Sequence, residues 1–121
     1  MPNIAQLTSY ASDVLEGKPA KLRSPRWAHL RSLFLVKGAK CAACGYTKSL
    51  NVHHVLPFHL YPEKELDSTN LIVLGEACPG GNHHLMFGHL LNWKSFNVSV
   101  RTDAATFLQR LRERPEVKYA M

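Results

Sequence analysis

The chain has 121 residues, the usual size of one domain, so the sequence predicts a single domain over 1–121. Hydrophobic residues make up 45% of it and charged residues 20%, a composition that excludes a disordered chain. Its apolar runs are far shorter than the roughly 20 residues needed to cross a bilayer, so we expect no membrane span. The net charge of +6 favours a polyanionic partner.

The cysteine content suits a reduced compartment. The N-terminus, from Met1 to Gln6, has neither the positive start nor the apolar core of a secretory signal, so we expect an intracellular protein. Three cysteines cannot all pair as disulfides within one chain. Metal ligation is therefore the better interpretation of these residues.

Two helices are predicted in the first third of the chain. Apolar residues at helical spacing within 4–15 predict the first. Ser24-Pro25 is typical of an N-cap followed by proline at the first helical position, and predicts a second helix that Gly38 ends. Together they would form a helical extension over 1–38. The apolar stripe of the second helix comprises Trp27, Leu30, Leu33 and Phe34.

The middle of the chain predicts two strands. The alternating stretch 50–56 is typical of a strand that Pro57 stops, and the apolar run 71–74 suits a buried partner strand. A helix is predicted over 84–92 and a last helix within 101–114, so the expected fold class is α+β. The residues that the last helix is expected to bury are Phe107, Leu108 and Leu111.

All three cysteines lie in the middle of the chain. Cys41-Ala42-Ala43-Cys44 is a C-x2-C knuckle, whose tight turn brings two thiolates to one tetrahedral ion. A thioredoxin-type redox pair is the alternative, but such a pair normally precedes a helix, whereas Gly45 leads towards a strand. Cys78 is the predicted third ligand and His83 the fourth, which would close a structural Cys3His zinc site. Three merely buried cysteines are the competing interpretation.

Adjacent histidine pairs form a second pattern. His53-His54 lies on the first predicted strand, where neighbouring residues point to opposite faces. His84 and His89 lie five residues apart on the next predicted helix, about 140° around an ideal α-helix. They can share a metal only if His84 lies at or before the first turn, and His83 in its place is the alternative.

Four stretches of the chain carry a resemblance to a known family. They are Cys41-x2-Cys44, Val52-His53-His54-Val55-Leu56-Pro57-Phe58, Asn70-Leu71-Ile72-Val73-Leu74 and His83-His84-Leu85-Met86-Phe87-Gly88-His89. They resemble the HNH endonucleases, the ββα-metal nucleases that include the colicin DNase domains. The chain looks especially like small phage and bacterial HNH proteins that have a His-x3-Gly-His helix. Many of those relatives carry cysteines where this chain has Gly75 and His83, so Cys78 and His83 look like displaced replacements.

The resemblance implies a single HNH nuclease domain with a zinc knuckle and ββα-metal core over 41–93. His54 would be the general base, and Asn70 would hold the loop that orients it. The ligands of one catalytic divalent cation, Mg²⁺, Mn²⁺, Ni²⁺ or Zn²⁺, would be His53, His84 and His89. The implied reaction is hydrolysis of DNA to 5′-phosphate and 3′-hydroxyl ends, in a bacterial or phage-infected cytoplasm.

The sequence has basic residues that could contact phosphates, but it has no element suited to reading bases. A protein partner that supplies specificity is therefore expected beside the DNA. The alternative function is a non-catalytic, zinc-stabilised nucleic-acid-binding module. A zinc deaminase is excluded because the chain lacks His-x-Glu followed by Pro-Cys-x2-Cys. The candidate DNA-binding residues are Arg23, Arg26, Arg31, Lys40, Lys48, Lys94 and Arg101.

Overall fold

A two-stranded antiparallel sheet carries the centre of the structure, a computed structural model that describes residues 23–114. Strand β1 runs over Leu50–His54 and strand β2 over Leu71–Gly75. The register pairs Leu50 with Gly75 and His53 with Ile72. The α+β class is confirmed. The first predicted helix, over 4–15, lies outside the described residues.

Strand β1 ends two residues earlier than the alternation predicts. The amide of Val55 still donates to the Asn70 carbonyl at 2.8 Å, but the next amide, of Leu56, donates to the Asn70 side chain at the same distance. A side-chain amide thus replaces the ladder partner, because Asn70 immediately precedes β2. Two short 3-10 helices, Pro62–Lys64 and Ser68–Asn70, lie in the connection between the strands.

Helix α1, Trp27–Phe34, is shorter than predicted. The Ser24 hydroxyl accepts a hydrogen bond from the Arg26 amide at 3.1 Å, so the proline-containing turn precedes the helix. The chain leaves the helix well before Gly38, whose φ of +92° belongs to the following turn. Leu33 was expected in the apolar stripe, yet it is 54% exposed, because the half-buried residues of α1 lie on another face.

The helix predicted over 84–92 is instead a π-helix of one turn, His84–Gly88, which we call the π-turn. It ends because Leu90 and Leu91 both adopt left-handed backbone conformations, with φ of 53° and 66°. The Leu91 amide closes the turn by donating to the Leu85 carbonyl at 2.8 Å. The element is therefore wider and shorter than the α-helix predicted over 84–92.

Helix α2, Val100–Glu113, confirms the last predicted helix and begins just before the predicted range. Its fully buried residues are Val100 and Ala104, at the first turns, whereas Phe107 and Leu111 are half-buried. Among the residues from 23 to 114, no helix is long and apolar enough to cross a membrane. The buried core comprises Cys41, Ala43, Cys44, Ile72, Leu74, Cys78, Val100 and Ala104.

Asn97 joins the π-turn to α2. Its side-chain amide donates to the Phe87 carbonyl at 2.9 Å and to the Asp103 carboxylate at 2.8 Å. Its backbone amide donates to the Gly88 carbonyl at 3.1 Å, and its side-chain oxygen accepts from the Ser99 amide at 3.0 Å. Asn97 thus satisfies two carbonyls of the π-turn, one with its side chain and one with its backbone, and its side chain also bonds the start of α2.

Replacing Asn97 by alanine should lower the free energy of unfolding by about 1–3 kcal/mol, because buried partners lose their hydrogen bonds. Urea denaturation measures the change. Gln109→Ala on the exposed face of α2 is the control and should stay within about 0.5 kcal/mol of the unmodified protein. Equal stability of the two variants would contradict the linking role of Asn97.

Candidate metal centres

The first centre brings together three thiols and one imidazole, from Cys41, Cys44, Cys78 and His83, all buried. Cys41 and Cys44 lie on a tight turn ahead of β1, in which the Gly45 amide donates to the Cys41 carbonyl at 2.8 Å. Gly45 has a φ of +84°, which glycine adopts at little cost. Cys78 follows β2, and His83 immediately precedes the π-turn. The sequence predicted this ligand set.

The spacing within this cluster suits a tetrahedral ion. Cys41 Sγ lies 3.6 Å from His83 Nδ1, and the four ligand atoms all lie within 4.8 Å of one another. Tetrahedral zinc with Zn–S near 2.3 Å and Zn–N near 2.0 Å places sulfur and nitrogen roughly 3.6 Å apart. The His83 ring is held edge-on by Phe87 and Phe107, with ring centroids 5.5 and 5.4 Å away.

The thiols differ in acidity because they share one small space. Burial alone would raise the pKa of Cys41, but hydrogen bonds from His83 and from backbone groups hold it down at about 6. Burial raises the pKa of Cys44 and of Cys78, and the neighbouring Cys41 adds to both shifts. Three thiolates therefore cannot coexist here without a cation, which is what a bound divalent ion would supply.

Gly75 leaves room for the third cysteine. A β-carbon built on Gly75 would overlap Cys78 Sγ and would lie 3.6 Å from Cys41 Cβ. Cys78 thus fills the space where a side chain at position 75 would stand.

The second centre consists of His53, His84 and His89, again all buried. His53 comes from β1, and the other two lie at the start of the π-turn and just after its end. His84 Nε2 lies 3.0 Å from His53 Nδ1 and 3.2 Å from His89 Nε2. Three ring nitrogens therefore converge on one point.

The neighbours of the His84 and His89 rings direct a ring lone pair of each towards the centre of the triad. His89 Nδ1 donates to the Ser95 carbonyl at 2.8 Å, so the neutral ring has its lone pair on Nε2. His84 Nδ1 faces the Glu76 carboxylate at 3.7 Å, which favours the proton there and the lone pair again on Nε2. Two lone pairs 3.2 Å apart repel each other, and a cation between them removes the repulsion. The donor set therefore fits a divalent ion.

The π-turn explains how histidines five residues apart can meet. In an α-helix their directions differ by about 140°, but the i→i+5 hydrogen bonding of a π-helix brings such residues onto one face. His84 consequently joins His53 and His89, and His83 joins the cysteines. The alternative in which His83 replaces His84 is not the arrangement that the structure adopts.

Gly88 leaves room for the His53 ring, because it has no side chain. A β-carbon built on Gly88 would come within 2.9 Å of His53 Cε1 and 3.0 Å of Nδ1. Real β-carbons essentially never make such contacts, so the ring occupies space that only glycine leaves free. The glycine of the His-x3-Gly-His pattern therefore helps to position the histidine of β1.

His54 lies next to His53 on β1 but is not one of the three histidines of the triad. Its Nε2 donates to the Glu65 carbonyl at 2.9 Å, and its ring packs on Trp27 with centroids 4.5 Å apart. Burial lowers the pKa of His54 to about 4, against a smaller opposing effect of that hydrogen bond and with some help from Arg23. The imidazole is therefore neutral at pH 7, with its lone pair on Nδ1.

Asn70 secures the loop that carries this carbonyl. Its side-chain oxygen accepts from the Leu56 amide, and its amide nitrogen donates to the carbonyls of Leu56 and Lys64 at 3.0 and 3.3 Å. The two ends of the 56–64 segment are thus joined by one buried side chain. Since Glu65 comes next, the position of its carbonyl depends on Asn70.

The predicted DNA-binding residues divide into two groups. Arg23 packs over Trp27 and Phe58 and approaches Glu65 at 3.6 Å, so its guanidinium is engaged within the protein. Arg31 donates to Asn51 at 3.1 Å. Arg101 is likewise engaged, with the carbonyls of residues 69 and 71. The second group consists of exposed residues that make none of these contacts: Arg26, Lys40, Lys48 and Lys94.

Glu65 and Glu76 contribute to the centres but were not predicted. The Glu65 carboxylate accepts from the Ser24 amide at 3.0 Å and so attaches the start of α1 next to His54. Glu65 is buried, and a buried acid needs partners that only the tertiary structure brings together. The only sequence signal was their position, in the loop before β2 and directly after it.

Comparison of the chain with models of protein families, with curated proteins and with solved structures finds no match. Function is therefore argued from the chemistry of the centres themselves. The two clusters can each hold a metal ion. Thiolates favour zinc in the first, whereas three imidazoles leave positions free for water or substrate in the second.

The two glycines allow each centre to be perturbed separately. Gly88→Ala should displace His53 and weaken divalent-ion binding at the triad at least tenfold, with tightly held zinc unchanged. Gly75→Ala should instead weaken zinc binding at the cysteine centre and leave the triad unchanged, because its β-carbon meets Cys78. It should also lower the free energy of unfolding by about 1–3 kcal/mol. Elemental analysis and calorimetric metal titration measure both effects. Equal loss at both centres in either variant would contradict the assignment.

Acid should destabilise protein from which the triad's ion has been stripped. Burial lowers the pKa of His53 and His89, and that of His84 to about 3, relative to about 6.5 in the unfolded chain. The unfolded chain binds more protons, so stability is full above pH 6.5 and falls as the pH drops towards 3. Urea unfolding between pH 5 and 7.5 measures the slope. His84→Asn should make it shallower; a flat profile in the parent protein would exclude the effect.

Proposed function

We propose that this protein is a metal-dependent HNH endonuclease that hydrolyses DNA phosphodiester bonds to 5′-phosphate and 3′-hydroxyl ends. The observation that carries the proposal is the adjacency of His53 and His54 on β1. His53 is one of three converging imidazoles, and His54 is a neutral imidazole hydrogen-bonded to a backbone carbonyl. The two strands followed by the π-turn support assignment to the ββα-metal fold.

His54 supplies the base in this proposal. With Nε2–H donated to the Glu65 carbonyl, Nδ1 is the nitrogen that accepts a proton from the attacking water. The carbonyl also stabilises the imidazolium that forms, since it lies 2.9 Å from the charged ring. Asn70 is a positioning residue, because it holds the segment that presents this carbonyl.

The triad supplies the complementary electrophilic site. His53, His84 and His89 would hold one divalent cation, and that ion would supply the positive charge that phosphate and the leaving 3′ oxygen require. Three imidazoles would fill only three coordination positions of the ion, so its other positions would stay open. The cysteine centre has four ligands and no open position, which supports a structural role.

The exposed cations Arg26, Lys40, Lys48 and Lys94 are the proposed phosphate contacts, in keeping with the net charge of +6. Such contacts give affinity without sequence choice, so a protein partner that adds specificity belongs to the same proposal. A zinc-stabilised binding module without catalysis would need the cysteine centre but not the three converging imidazoles. This difference favours the enzyme.

Cleavage of supercoiled plasmid tests the proposal, with each of Mg²⁺, Mn²⁺, Ni²⁺ and Zn²⁺ supplied in turn. His54→Ala should reduce the rate about 10²–10⁴-fold, because water activation is lost, while DNA binding in gel-shift assays survives. The matched control is His29→Ala, which removes an exposed imidazole of α1 and should cleave normally. Cleavage by His54→Ala at the parent rate, or no cleavage with any metal, would refute the nuclease.

A further inference from the structure

A chain of side chains, hydrogen-bonded from α1 as far as Glu76, leads to the second metal centre. Arg31 Nη2 donates to Asn51 Oδ1 at 3.1 Å, and Asn51 Nδ2 donates to Glu76 Oε1 at 2.6 Å. The same Glu76 oxygen lies 3.7 Å from His84 Nδ1. The chain therefore joins an exposed helix to one of the three imidazoles of the triad.

The orientation of the Asn51 amide has one solution. Its oxygen accepts from Arg31 and also from the Val52 amide at 2.9 Å. Both neighbours are donors only, so the amide nitrogen must point the other way, towards Glu76. Asn51 consequently holds the carboxylate at a defined place beside β1.

Glu76 is also held through its backbone, whose amide donates to the Ser49 carbonyl at 2.8 Å. Across from it, His84 Nδ1 is buried and has no hydrogen-bond partner among the described residues. His84 itself is 3% exposed, so little water reaches the ring. The carboxylate is the ionic group that the structure places beside this nitrogen.

We propose that Glu76 is a positioning residue for the second metal centre, and that Asn51 positions Glu76. The carboxylate keeps the proton of neutral His84 on Nδ1, so Nε2 presents its lone pair to the ion. The inference rests on the metal-binding part of the proposed function and concerns the tautomer of one ligand, His84.

The physical reason is that His84 has a competing tautomer. With the proton on Nε2, the ring donates to His53 Nδ1 or His89 Nε2, which lie 3.0 and 3.2 Å away. Such an N–H···N bond closes the centre without a metal. A carboxylate at 3.7 Å from Nδ1 penalises this tautomer, since two sets of lone pairs would then face each other.

The test compares Glu76→Ala with Glu113→Ala, which removes the same charge from an exposed position at the end of α2. Full-length protein is stripped of the weakly held ion and keeps its cysteine-bound zinc. Long-range ¹H–¹⁵N spectra of the imidazoles report the His84 tautomer, and titration with Mn²⁺ or Zn²⁺ reports affinity. Circular dichroism monitors the fold, which should persist because the Glu76 side chain is 39% exposed.

Glu76→Ala should lose the Nδ1–H tautomer as the dominant form and bind the ion about 10–100-fold more weakly. Glu113→Ala should match the parent protein in both measurements. If either the tautomer or the affinity of Glu76→Ala stays at the parent value, the proposal is overturned.

Asn51→Asp separates positioning from simple attraction. It adds a negative charge near the centre but replaces the donor to Glu76 with a repelling carboxylate. Positioning predicts weaker metal binding and loss of the tautomer, whereas charge attraction alone predicts tighter binding. Unchanged or tighter binding would overturn the role of Asn51. Since neither measurement uses DNA, a parent protein that behaves as expected here but cleaves nothing would refute only the nuclease.

Discussion

The structure depends on the convergence of Cys41, Cys44, Cys78 and His83. The three cysteines are members of the buried core, so the interior of this small protein is in part a metal-ligand set. Small domains bury too little apolar surface to be very stable. An ion bound at this cluster would stabilise the folded chain, because the unfolded chain offers no preformed site for it. The knuckle, the segment after β2 and the start of the π-turn meet at this cluster.

The two centres take adjacent residues of the chain as ligands. His83 belongs to the cysteine cluster and His84 to the imidazole triad. The orientation of the π-turn is therefore set where His83 enters the core, and His84 takes its direction from it. Asn97 fixes the other end through the Phe87 and Gly88 carbonyls. An ion held by the cysteine cluster would thus pre-organise a ligand of the more open site without touching it.

The sequence was informative wherever residue type alone restricts the chemistry. Cysteine spacing predicted the first ligand cluster, and the family resemblance implied the second. Alternation placed the first strand and a short apolar run the second, each within two residues. The π-turn could not be predicted, because the helix after Cys78 was taken to have 3.6 residues per turn. Arg23 and Arg31 were expected to contact DNA, but their partners, Glu65 and Asn51, are distant in sequence. Only the tertiary fold brings such long side chains together.

The width of the π-turn has a consequence for how such sites are recognised in other chains. A search for two histidines on a helix looks for ligands three or four positions apart, because an α-helix returns to the same face at those intervals. Here the interval from His84 to His89 is five, and a Gly88 without a side chain makes room for a third ring. One inserted residue in a single turn is enough to conceal a three-histidine centre from pattern searches built on regular helices.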